Sequence, residues 1–137
     1  SIRLKVQKRG NFIALMMEPN EQKMQNLASN LVENLDYFRA PLHQEEIDKR
    51  RMSNLTTRED KNLLNWGYPY VFNDFRFHIT LTERIQVRSD REFIVSGASS
   101  HFSKSLNNSI TVSSISLFFQ ESSEADFLQI QQFALGE

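Results

Sequence analysis

From residue 75 to residue 82 the chain alternates strictly, with Phe75, Phe77, Ile79 and Leu81 on one side and Arg76, His78, Thr80 and Thr82 on the other. A period of two belongs to a β-strand with one buried face, because successive side chains point to opposite sides of a sheet. Ile2, Leu4 and Val6 alternate with Arg3 and Lys5 and predict another strand at the start of the chain. Lys8-Arg9-Gly10-Asn11 then reads as a turn in which Gly10 can take positive φ. Residues 12–17 are continuously apolar, the mark of a strand covered on both faces. These first two strands are expected to pair as a hairpin.

Pro19-Asn20 stops the second strand, and Asn20 is placed to cap a helix. Met24, Leu27, Ala28, Leu31, Val32, Leu35 and Phe38 keep helical spacing up to Arg39, giving a long amphipathic helix. Residues 39–42 break it, and residues 44–51 read as a short polar helix. Thr56 and Glu59 have the spacing of a capping box, which opens a helix through Leu63, Leu64 and Trp66 that Gly67 closes. Tyr68-Pro69-Tyr70 runs extended into the 75–82 strand, since a residue before proline avoids helical angles. Ser89-Asp90 is placed to cap a helix through Phe93, Ile94, Phe102 and Leu106, with Gly97 a weak point. Residues 110–120 and 127–135 are the last strands, joined by a polar hairpin loop. The order predicts a single α+β domain over residues 1–137, its sheet antiparallel or mixed and its helices on one face.

At 137 residues the chain can bury a core, and 16 Lys plus Arg against 17 Asp plus Glu leave a net charge of −1. That balance is not the broad basic surface of a protein that grips long nucleic acid. A small phosphate ester needs only a local cluster. Cysteine is absent, which removes disulfides, thiolate metal sites and a cysteine nucleophile. A reducing cytoplasm is the expected location. No apolar run reaches the ~18 residues of a membrane-spanning helix. The chain opens at Ser1 directly on a strand pattern, so a processed chain, an excised piece or the carboxyl-terminal part of a longer protein is expected.

Next-nearest residues on one strand face lie roughly 6.6 Å apart. Arg76, His78 and Thr80 therefore stand close enough to converge on one anion, most simply a phosphate. The competing reading is a face that only meets water, where Lys, Glu and Ser are the usual choice. Tyr68 and Tyr70 either stack on a base or sugar at a cleft rim or pack their own rings on the sheet edge. Arg39, in a helix-ending turn, suits structural bonds to carbonyls better than ligand contact. Gln120 reaches a cleft or serves the hairpin. His43 stands where a short helix usually has a capping hydroxyl, and His101 lies on a polar helix face; both suit the surface. Phe118 and Phe119 are expected in core and edge packing. No convincing metal-ligand set or cofactor motif is present.

The Phe77-His78-Ile79-Thr80-Leu81 segment resembles the His-x-Thr mark of the two-histidine (2H) phosphoesterase superfamily. The wider match spans nearly the whole chain: Gly10-x-Phe12-x-Ala14-Leu15, Phe38-Arg39-Ala40-Pro41-Leu42, Arg50-Arg51 with Leu55-Thr56, Trp66-Gly67-Tyr68-Pro69-Tyr70, Phe75-Arg76-Phe77-His78-x-Thr80-Leu81-Thr82 and Leu117-Phe118-x-Gln120. Together these resemble a bacterial family within that superfamily, of unassigned function, labelled phosphonate-metabolism proteins. Members of that family are about twice as long and carry another His-x-Thr in their first half. This chain has no counterpart, and so resembles the second, carboxyl-terminal lobe alone.

The resemblance implies cleavage of a cyclic phosphodiester by two imidazoles on opposite sides of the phosphorus, one a base and one an acid. It makes His78 one of the pair and Thr80 a phosphate-binding hydroxyl, with Arg76 available to steady developing charge. It implies a small phosphorylated metabolite as ligand and no metal or cofactor. It also implies a partner for the half-site, either the missing lobe or a second copy of this chain. One lobe by itself is expected to be a poor catalyst. A non-catalytic phosphate-metabolite binding module and an interaction lobe are the alternatives.

Overall fold

The computed structural model describes residues 1–18, 22–122 and 124–136. The expected cap at Asn20 lies outside the described residues. Strands β1 (Leu4–Arg9) and β2 (Phe12–Met17) form the expected antiparallel hairpin, from Leu4 opposite Met17 to Arg9 opposite Phe12. Gly10 turns the chain at φ 60°. The following elements are α1 (Gln22–Leu35), α2 (Gln44–Arg51), α3 (Thr57–Trp66), β3 (His78–Thr80), α4 (Arg88–Leu106), β4 (Ser114–Phe119) and β5 (Leu128–Ala134). β1, β2 and β3 make one sheet with β2 central, and β4 and β5 a separate antiparallel pair. The fold is α+β with antiparallel sheets.

The core forms where the helices meet the three-stranded sheet. Ile2, Leu4, Met17 and Met24 are buried together, with Leu15, Leu27, Phe75, Phe77, Leu106 and Val112 packed against them. On β1 and β2 these residues are alternate positions, so they occupy one face, and α1 and α4 contribute Leu27 and Leu106 to it. Lys8 on that side reaches Glu92 of α4 at 3.8 Å. Burying such a side chain contributes about 1.5–3 kcal/mol, which fixes both the hairpin register and the side of the sheet the helices take.

The middle segment, α2 and α3, is held by local chemistry. Thr56 Oγ1 accepts from Glu59 N at 3.3 Å, and Thr56 N donates to Glu59 Oε2 at 2.7 Å, completing the expected capping box. Gly67 closes α3 at φ 76° and donates its N–H to Leu63 O at 2.9 Å. Leu63 is fully buried. Arg51 forks onto Asp60 at 2.6 and 2.9 Å, joining α2 to α3.

Several expectations need correction. The 75–82 strand is only His78–Thr80. A 3-10 turn, Phe72–Asp74, entered with Phe72 at φ 51°, still governs Phe75, whose N–H bonds Phe72 O. Beyond Leu81, whose N–H bonds Ile13 O at 2.9 Å, the Thr82 hydroxyl takes over as acceptor for Ile13 N and the ladder stops. Because β3 is an edge strand, Ile79 is 45% exposed although the alternation assigns it to the core side. The penultimate strand is likewise shorter than residues 110–120, with Ile110 reduced to a single bridge with Ile2. Phe118 and Phe119, expected in packing, are 51% and 52% exposed, because β4 pairs only with β5 and no described helix covers the hairpin. Ser89 is not the cap of α4, which starts after Val87 with no side-chain cap, and Gly97 does not interrupt it.

Among the described residues no helix is long and apolar enough to cross a membrane, and no three His, Asp or Glu side chains stand together as a metal-binding group.

Candidate functional site

Strand register determines what stands beside His78. Residues directly opposed across antiparallel strands point to the same side of a sheet. Met16 lies opposite both His78 and Lys5, and Ala14 opposite both Thr80 and Gln7. Two rows, Lys5–Met16–His78 and Gln7–Ala14–Thr80, therefore cross the face turned away from the α1 and α4 core. Ala14 contributes almost no bulk at the centre of its row and is completely buried by its neighbours. Glu18, at the end of β2, engages Lys5 Nζ at 2.7 Å.

His78 is half-buried, with its ring centroid 6.1 Å from that of Phe12. Its Nδ1 lies 2.8 Å from the carbonyl oxygen of Arg76. A carbonyl only accepts, so Nδ1 must carry the hydrogen. In the neutral ring this leaves the Nε2 lone pair free, the form that can accept a proton from water or a hydroxyl. The bond also fixes the ring's direction. Thr80 is exposed, and its hydroxyl makes no hydrogen bond to any described residue.

The remaining expected residues disperse. Arg76 does not join the row: it precedes β3, in the irregular segment, and its Nη1 donates to the carbonyls of Asn73 at 2.8 Å and Phe75 at 2.6 Å. Thr82 Oγ1 is spent on Ile13 N and Glu83 O. Arg39 bonds Asp36 Oδ1 at 2.7 Å and Asn65 O at 3.1 Å, stapling the end of α3 to the turn after α1. Tyr68 and Tyr70 pack edge to face, 5.6 Å apart at 80°. Gln120 Nε2 donates to Ala125 O at 2.9 Å across the β4–β5 loop. Of the other histidines, His43 precedes α2 and His101 lies on α4 against Phe102, and neither belongs to a strand of the three-stranded sheet.

Tyr68 and Tyr70 line a concavity of about 540 Å³ between α1, the end of α3 and β4, together with Leu27, Trp66, Phe77 and Ile115. Its walls are almost wholly apolar and it opens on the Phe77 side of the sheet. Nothing in it suits a phosphate.

The carboxylate of the turn that precedes β3, Asp74, is structural. Arg58 Nε donates to Asp74 Oδ2 at 2.8 Å, and this bond, aided by the charges of Arg58 and Arg76, holds the Asp74 carboxyl below the usual carboxylate range. Asn62 Nδ2 also reaches Asp74 Oδ2 at 3.3 Å. The turn that delivers the chain to β3 is thereby fastened to α3. Gln7 is the residue of the face that a reading centred on the 75–82 strand misses. The signal was in the sequence, since Gln7 continues the polar alternation of Arg3 and Lys5, but only the β1–β2–β3 register brings it into one row with Thr80.

A family model described as protein of unknown function (DUF1045) matches residues 1–128. The chain belongs to the DUF1045 family. This DUF1045 chain is also similar to the ribose 1,5-bisphosphate phosphokinase PhnN of Janthinobacterium sp. (strain Marseille), with 36% identity over 95 residues that cover 67% of this chain and 21% of that protein. The match thus spans about a fifth of the relative's length. No solved structure matches the chain.

Proposed function

We propose that this DUF1045 chain is one lobe of a two-histidine phosphoesterase, acting on a cyclic phosphate or phosphodiester of a small phosphorylated sugar. The supporting observation is the pairing of an imidazole whose Nδ1 is committed to Arg76 O with an unengaged hydroxyl two residues on, both on the sheet face turned away from the α1 and α4 core. In this reading Nε2 of neutral His78 takes a proton from the attacking water or hydroxyl. The Thr80 hydroxyl donates to a non-bridging phosphoryl oxygen as charge builds there. The similarity to a protein named for a ribose bisphosphate supports a phosphorylated sugar over other phosphodiesters.

Protonating the leaving oxygen needs a second group on the far side of the phosphorus. Among the described residues no second histidine lies on the three-stranded sheet, which favours binding without turnover for this chain alone. A second lobe, or a second copy of the chain, is the proposed source of that acid.

The test is phosphate binding and turnover, measured on wild type and two variants with cyclic phosphodiesters as substrates. The expected result is binding of inorganic phosphate that His78→Ala and Thr80→Ala weaken, with turnover at background. Phosphate binding indifferent to both substitutions ends the proposal. Robust turnover that His78→Ala abolishes shows that one imidazole suffices.

A further inference from the structure

Most arginines of the middle segment have a carboxylate partner: Arg39 with Asp36, Arg51 with Asp60 and Arg58 with Asp74. Lys49, Arg50 and Arg84 do not. All three line one recess of about 540 Å³, together with Glu46, Met52 and Ser53, and none forms an ion pair with a described residue. The lining therefore carries a net charge of +2. Lys49 and Arg50 lie in the last turn of α2, where cations favourably meet the helix dipole. Arg84 has no such reason to be there, since it comes from the segment that leaves β3.

Two further features describe the recess. The Arg50 guanidinium carbon lies 5.0 Å from the centre of the Tyr68 ring, which itself packs on Tyr70. A planar cation stacked in this way keeps its N–H edges free and gives up less rotamer freedom on binding an anion. Glu46, the one carboxylate of the lining, directs Oε2 to the His43 N–H at 3.4 Å. Three cations beside a single carboxylate leave the recess net positive, so the arrangement gains stability when an anion enters.

We propose that Lys49, Arg50 and Arg84 form a subsite for a second phosphate group of the substrate, one that does not react. The proposal rests on the reading of His78 and Thr80 as a phosphoester half-site and narrows its substrate class to sugars carrying two phosphoryl groups. The chain links the two places. Arg84 is four residues beyond Thr80, so their Cα atoms are no more than about 14 Å apart. Ser53 supplies a hydroxyl donor at the same recess.

The experiment is equilibrium binding of ribose 5-phosphate to the 137-residue protein at low salt, comparing wild type with Arg84→Ala, Arg84→Lys and His78→Ala. Arg84 is exposed, so unchanged circular dichroism is expected for its variants. Loss of one charge-assisted contact is expected to weaken ribose 5-phosphate about tenfold in Arg84→Ala, with partial recovery in Arg84→Lys. Retention of binding in His78→Ala beside that loss supports the subsite even if the phosphoester reading fails. Loss in both single variants also supports it, with the sugar phosphate bridging the two places. Binding that His78→Ala abolishes and Arg84→Ala leaves intact overturns the subsite and spares the phosphoester reading. Absence of binding by the wild type overturns the subsite.

Discussion

Replacing Gly67 by alanine should destabilise the fold through two separable terms. Gly67 ends α3 at φ 76°, a left-handed conformation that costs an L-residue about 1–2 kcal/mol. A Cβ there would also fall 2.7 Å from Arg39 Cδ, 3.2 Å from Nε and 3.3 Å from Nη1. Arg39 must then swing out and release Asp36 and the Asn65 carbonyl. Exposed polar contacts of this kind contribute about 0.5–1 kcal/mol together. The combined loss should be about 2 kcal/mol, or about 8 °C in Tm for a chain of this size. Urea denaturation followed by far-UV circular dichroism measures it, with the slope unchanged. The double variant Arg39→Ala/Gly67→Ala separates the terms. Its cost should fall below the sum of the single costs, because removing Arg39 removes the obstruction. Strict additivity, or a Gly67→Ala cost under about 0.5 kcal/mol, would refute the steric part of this explanation.

Two further expectations concern the middle segment. Thr56→Ala removes a reciprocal cap and should cost about 1 kcal/mol by urea denaturation, while Thr56→Ser should cost little. Hydrogen bonds from Arg51 and Arg58 hold the carboxyls of Asp60 and Asp74 below their usual range. Folded-state values lower than unfolded ones mean that the stabilising contribution is full above the unfolded value of about 3.9 and drains as pH falls through the folded values. Stability should therefore fall below about pH 4, and Asp74→Asn should flatten that part of a midpoint-against-pH curve.

Legibility from sequence followed locality. The β1–β2 hairpin, the Thr56–Glu59 box and the Gly67 stop depend on residues within a few positions of one another, and all three form as read. The residues facing away from the core on β3 were legible for the same reason, since His78 and Thr80 are two apart on one short strand. The length of that strand was not. Positive φ at Phe72, a residue with no turn signature, starts a turn that takes Phe75 and Arg76 out of the ladder. Arg76 then satisfies nearby carbonyls instead of meeting the row, an outcome that depends on backbone path and not on residue type. The exposure of β4 and β5 was equally hidden. Phe118 and Phe119 are expected in core and edge packing, yet the β4–β5 hairpin forms a sheet separate from the three-stranded one and both are half-exposed. Lys49 and Arg50 are neighbours but Arg84 comes from far along the chain, and nothing in the order announces one recess.

The most direct measurement is a long-range nitrogen-15 spectrum of the imidazole of His78, recorded with and without inorganic phosphate. A ring protonated at Nδ1 when neutral, with its Nε2 signal moving as phosphate is added and Thr80→Ala reducing the movement, is the expected result. A neutral ring protonated at Nε2, or a signal that phosphate does not touch, would contradict the half-site.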